Sequence, residues 1–230
     1  MRRLIHQPLD PFCRKIRLAL AEKKLAFELE VEKPWDRREA FLALNPAGTV
    51  PVLVEQDGSV FSDHRAIGEY LDEFYRDPDG GLVLLPGNPI ERAEARRIAE
   101  WFDDKFAEEV TRTLVDEKIL KRFLPRDLGG GPPDTETVRI GMHNVSYHLD
   151  YISFLIERRN WLAGDDLSIA DLAAAAHLSA VDYLGNVPWA DFPQSKDWYA
   201  RIKSRPSFRA LLADNVAGMP AARHYANLDF

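Results

Sequence analysis

The chain has 230 residues, with 30 basic and 37 acidic side chains and a formal net charge of −7. That length holds one large domain or two small ones at roughly 100–200 residues each, and the acidic balance argues against a nucleic-acid binder, which carries a basic excess. The single cysteine, Cys13, excludes an intrachain disulfide and a thiolate-rich zinc site, and the six histidines show no HxH or HExxH spacing, so no metal is expected.

The chain opens Met1-Arg2-Arg3-Leu4-Ile5-His6, which turns polar too soon for a signal peptide. A cytoplasmic location is expected, and Arg3–His6 reads as a short strand. Pro11 then opens a helical pattern to Lys24, with Phe12, Ile16, Ala19 and Leu20 at helical spacing. Phe27–Val31 alternates apolar and polar residues, the period of a half-exposed strand. Arg37–Leu44 is a short helix. Val52–Glu55 and Val60-Phe61 flank an Asp57-Gly58 turn, which predicts a hairpin. Asp63–Tyr75 is a helix with Ala66, Ile67, Tyr70, Leu71 and Phe74 on one face. This order predicts an α/β domain over residues 1–80.

Asp77–Gly81 and Leu85–Pro89 are turn-rich and read as a linker. Beyond it no strand pattern stands out. Ile90–Phe123 is a long helical pattern, with Glu91–Arg97 as a solvated, charge-alternating face and Trp101, Phe102 and Phe106 as core positions. Helices follow at Thr135–Arg159, Ser168–Leu184, Gln194–Ser204 and Pro206–Asp214. The longest apolar stretch, Ile169–Leu178, is broken by Asp171 and His177, far short of the roughly 18 residues that span a membrane. An all-helical domain is thus expected over residues 88–214. A tail over residues 215–230 has apolar anchors without a period, suited to wrapping its own domain or docking on a partner.

Two segments carry a family resemblance. One is Asn45-Pro46-Ala47-Gly48-Thr49-Val50-Pro51-Val52-Leu53, followed by Asp57-Gly58 and Ala66–Leu71. The other is Leu162–Leu172, in which Ser168-Ile169-Ala170-Asp171 is a capping box and Leu167 and Leu172 are placed as a hydrophobic staple. Together they resemble the glutathione transferase family: a thioredoxin-like α/β N-terminal domain and an all-helical C-terminal domain. The resemblance implies a cis Val50–Pro51 bond, with the Val50 backbone pairing with glutathione, and a homodimer to which the start of the Ile90 helix contributes.

The family sets a Ser, Tyr or Cys at the start of the first helix, where a hydroxyl and the helix dipole activate the glutathione thiol. The aligned residue here is Asp10. An ionised carboxylate cannot donate to a thiolate. Asp10 followed by Pro11 is instead a preferred N-cap and N1 pair. Cys13 falls in the first turn. It is either a low-pKa thiolate able to form a mixed disulfide with glutathione or a small buried core residue. A second family site, usually Glu-Ser, reads Asp63-His64. Asp63 retains an acceptor for an ammonium group, whereas His64 puts a ring where a small hydroxyl is expected. Asp10, Val50, Pro51, Asp63 and His64 thus mark a glutathione site altered at two contacts, which implies weak glutathione binding or none.

Trp35, after Pro34 and among charges, is a candidate protein-binding residue or a cover for the cleft. A closer resemblance, to GST-like bacterial cell-division proteins that bind filaments of the tubulin-like protein FtsZ, implies a non-enzymatic homodimer. Trp35, Asp229 and Phe230 would then be its contacts. The rival reading is an active transferase that conjugates glutathione to electrophiles.

Overall fold

A computed structural model describes residues 1–76 and 82–228. Four strands form a mixed sheet in the order β2-β1-β3-β4: β1 (Arg3–His6), β2 (Glu28–Val31), β3 (Val52–Val54) and β4 (Val60–Ser62). Leu4 of the central β1 stands opposite Leu29 of the parallel β2 and Leu53 of the antiparallel β3. A parallel pair needs a crossover, and α1 (Pro11–Glu22) provides it. The β3–β4 hairpin turns at Gly58, whose φ of 90° lies where glycine meets no steric penalty. α2 (Glu39–Leu44) precedes β3, and α3 (His64–Phe74) follows β4.

α4 (Pro89–Glu100) starts on a capping box. Asn88 Oδ1 accepts from the Ile90 and Glu91 N–H groups, and Glu91 accepts from the Asn88 N–H. The helix runs on through Trp101–Leu120, wound as a π-helix, into α5 (Lys121–Phe123). Phe102, Phe106, Val110 and Leu114 form one buried file; Asp103, Ala107, Thr111, Val115 and Ile119 form another. Each file recurs every fourth residue. At 3.6 residues per turn each such step rotates about 40° further off the core; a wider winding holds both files inward. Phe102 and Phe106 are fully buried, as the pattern predicted. Trp101 is only half-buried, because its indole N–H reaches sideways to His148 Nδ1 at 3.1 Å.

The remaining helices are α6 (Thr135–Ile156), α7 (Ile169–Tyr183), α8 (Pro193–Lys203) and α9 (Arg209–Leu212). The expected helix Pro206–Asp214 is a 3₁₀ turn, Pro206–Phe208, followed by the short α9. Asp214 leaves the helix to meet Arg14 and Arg17. The capping box at Ser168 and Asp171 is present, and Asp171 Oδ1 also accepts from the Leu162 N–H and the Trp198 indole. Every residue of α7 is buried, as a helix apolar nearly all round requires.

The two halves share one core, and α1 inserts charge into the helical half. Arg14 donates to Ser179 Oγ at 2.7 Å, to the Tyr225 hydroxyl at 2.9 Å and to Asp214 at 2.9 Å. The tail returns to the helical domain: the Ala222 N–H donates to the Tyr183 carbonyl, and Tyr225 is fully buried. Asp77–Gly81, Asp229 and Phe230 lie outside the described residues. Among the described residues no helix is long and apolar enough to cross a membrane, and no cluster of three metal-ligating side chains occurs.

Candidate functional site

A cleft of about 760 Å³ opens between the sheet domain and the helical domain. Its sheet-side wall is the β1–α1 loop, the turn that bears Trp35, Gly48–Val50, and Asp63-His64. Its helical wall is one side of the π-wound stretch, from Ala107 to Leu120, and Val216 of the tail closes one end. Asp10, Trp35, Val50, Asp63 and His64, which lie far apart in sequence, thus share one lining. Pro51 is buried just behind it, after a cis Val50–Pro51 bond. Asp229 and Phe230, the tail residues singled out from sequence, fall outside the described residues.

Asp10 is the N-cap of α1. Its Oδ1 accepts the Cys13 N–H at 2.7 Å, with Pro11 at the first helical position. Burial pushes the Asp10 carboxyl above its ordinary range, and the Cys13 N–H only partly opposes this. Cys13 does not meet the expectation of an activated thiolate. It is fully buried, its Sγ accepts from the Gln7 N–H at 3.4 Å, and burial, then the Asp10 charge, pushes its thiol well up.

Asp63 caps α3, its Oδ1 accepting from the Arg65 N–H at 2.7 Å and the Ala66 N–H at 3.1 Å. Partial burial works to raise its carboxyl, but these N–H groups prevail and hold it below the usual range. His64 is buried and stacks on Phe12 with ring centroids 4.5 Å apart. Lys15 Nζ donates to His64 Nδ1 at 2.8 Å and also pairs with buried Asp103. An ammonium only donates, so the ring proton of His64 sits on Nε2. Burial, then the Lys15 charge, pushes the imidazole down to about 3, so it is neutral at physiological pH. On the far side of Asp103, His177 Nε2 stands 3.5 Å away, and its Nδ1 meets Thr111 Oγ1 at 2.8 Å.

Sequence reasoning missed Asp116, Thr111 and Lys33 of the cleft lining. Asp116 follows Arg112 and Glu108 at four-residue steps, a file that reads as a solvated helix face. Nothing local signals that the face turns toward Asp10.

The family model for the N-terminal domain of glutathione S-transferases matches residues 11–73, and that for the C-terminal domain matches residues 131–206. The chain belongs to the glutathione S-transferase family. FtsZ-localized protein A of Caulobacter vibrioides is 48% identical over 233 residues, spanning 100% of this chain and 98% of that protein. A solved structure of a glutathione S-transferase from Rhodospirillum rubrum F11 is 55% identical, with a TM-score of 0.94 and full coverage of both chains. The structure of FzlA from C. crescentus is 47% identical, with a TM-score of 0.91, covering 100% of this chain and 99% of that one.

A glutathione thiolate placed at the start of α1 would face the Asp10 carboxylate, which repels it and in its ionised form offers no proton. Beside Asp63, the family's second contact position holds the His64 ring, which is buried against Phe12 and bonded to Lys15.

Proposed function

We propose that this glutathione S-transferase-fold chain is a protein-binding module of bacterial cell division that binds FtsZ filaments, and that its glutathione site is degenerate. The observation that carries this reading is Asp10: a carboxylate bonded to the Cys13 N–H stands where a thiol-activating hydroxyl belongs. The full-length likeness to a relative named FtsZ-localized protein A supports the choice of partner. Trp35, half-buried at the cleft and flanked by exposed Lys33 and Asp36, is the contact proposed on the sheet domain. Asp229 and Phe230 are the contacts proposed on the tail. Cys13 serves as a core residue.

The protein is a cytoplasmic homodimer in this reading. The dimer face is the aromatic stack Phe61–Tyr70–Phe74, with Phe74 69% exposed, together with Ile90 of α4, 81% exposed. Apolar exposure of that degree beside the sheet edge β4 calls for cover. A second reading, an active transferase, is favoured by an open cleft that reaches Val50.

Calorimetric titration with glutathione separates the two. Affinity no tighter than about 1 mM agrees with the binding module, and affinity near 1 μM with turnover of an electrophile contradicts it. Trp35→Ala and Asp229→Lys are each expected to reduce pelleting with filaments. Unchanged pelleting of both removes those contacts.

A further inference from the structure

Asp116 enters the cleft from the π-wound wall, and among the described residues no hydrogen bond or ion pair engages its carboxylate. Its charged neighbours on that helix are paired elsewhere, Arg112 with Glu108 and Glu117 with Lys121, although the Arg112 charge still works to lower the Asp116 carboxyl. From the sheet-side wall, Asp10 and Asp63 add two further carboxylates to the lining. Burial first, and Asp10 second, push the Asp116 carboxyl up to about 7. Among the described residues the tail brings only the uncharged Asn215, Val216 and Ala217 to the cleft. Its cations, Lys33 and Arg112, stand exposed at the rim, and His64 is neutral. The space between is walled by Leu9, Phe12, Trp35, Val115 and Ile119.

An apolar cavity with an unmatched acid at its wall has a definite complement. An anion brought in would add to the negative charge of Asp10, Asp63 and Asp116 and raise the repulsion already present. A cation removes that repulsion and supplies the donor that Asp116 lacks. A cavity near 760 Å³ is of the size that encloses a drug-sized molecule.

We propose that the cleft is a binding site for a small organic cation, its apolar body against Trp35, Val115 and Ile119 and its ammonium group on Asp116. Asp116 is then the residue that determines ligand charge. The site reverses the preference expected for the anionic tripeptide of the family. It stands independently of filament binding, because no filament enters its test.

The test is calorimetric titration of the full chain with octylammonium, octanol and octanoate at about pH 8, where Asp116 is ionised. Octylammonium is expected to bind about tenfold more tightly than octanol, and octanoate more weakly than either. Asp116→Asn is expected to bring octylammonium down to the octanol level while octanol binding stays unchanged, which also shows that the variant is folded. Asp116→Glu restores the preference. Lowering the pH to about 6 weakens octylammonium several-fold in the native protein and not in Asp116→Asn. Equal affinity for octylammonium and octanol in the native protein, or an undiminished preference in Asp116→Asn, overturns the proposal.

Discussion

Asp10 Oδ1 accepts the Cys13 backbone N–H at 2.7 Å, so the residue that starts the first helix also lines the cleft. The two roles separate by substitution. Asp10→Ser keeps a capping oxygen and supplies a hydroxyl donor, whereas Asp10→Ala removes both. In thermal unfolding the serine variant is expected within about 0.5 kcal/mol of the native protein, and the alanine variant about 1 kcal/mol below it. Only the serine variant should gain conjugation of glutathione to an electrophile. Gain in the alanine variant as well would show that the carboxylate, and not a missing donor, limits the chemistry.

Asp214 is one of the acids that tie the two domains together. Asp214 accepts from Arg14 and Arg17, both fully buried or nearly so. Asp214→Ala leaves two guanidinium groups buried without their counter-charge. Equilibrium denaturation is expected to show a loss of about 3–5 kcal/mol. A loss under about 1 kcal/mol would mean that water replaces the carboxylate.

Acid weakens the fold through histidine before it reaches most carboxylates. Burial holds His6 and His148 down at about 4 and, with the Lys15 charge, His64 at about 3. In the unfolded chain each takes a proton near pH 6.5. The unfolded state therefore binds protons first as the pH falls. The stability these histidines contribute above about 6.5 declines toward about 4, by up to about 1.4 kcal/mol per pH unit for each, and the raised carboxyls of Asp116 (about 7) and Asp171 (about 6), which take protons first in the native state, offset part of that slope. Urea unfolding between those limits should show this slope, and His64→Gln should flatten it by about one proton. An unaltered slope in that variant would mean that His64 titrates alike in both states.

Gly141 of α6 packs tightly against the π-wound stretch. A Cβ there would lie 2.2 Å from Thr113 Oγ1 and 2.9 Å from Leu114 Cγ. Gly141→Ala therefore forces the helices apart, and a loss of about 1–3 kcal/mol is expected by denaturant titration. Thr113→Ala in the same chain should recover part of it.

Local chemistry made most of the fold legible. Asp57-Gly58 between two apolar runs announced its hairpin, and Ser168–Asp171 announced the start of α7, because both signals act within four residues. Asp10 and Asp63 were readable as helix starts for the same reason. The burial of Arg14 and Lys15 was not readable, since their partners Asp214 and Asp103 lie 200 and 88 residues away. Trp101 looked like a core residue because its helix is apolar on that side, yet it is only half-buried, its indole N–H bonded to the buried His148 of α6. Asp116 reads as solvated until the domains are placed side by side, so the acid of the cleft is a property of the tertiary fold alone.

The central claim is a protein partner in place of a conjugation reaction, and co-sedimentation with FtsZ filaments tests it most directly. The full chain is expected to pellet with assembled filaments at about 1–10 μM and to remain in the supernatant with unassembled FtsZ. A chain that stays in the supernatant in both conditions, while folded and monodisperse, would contradict the account.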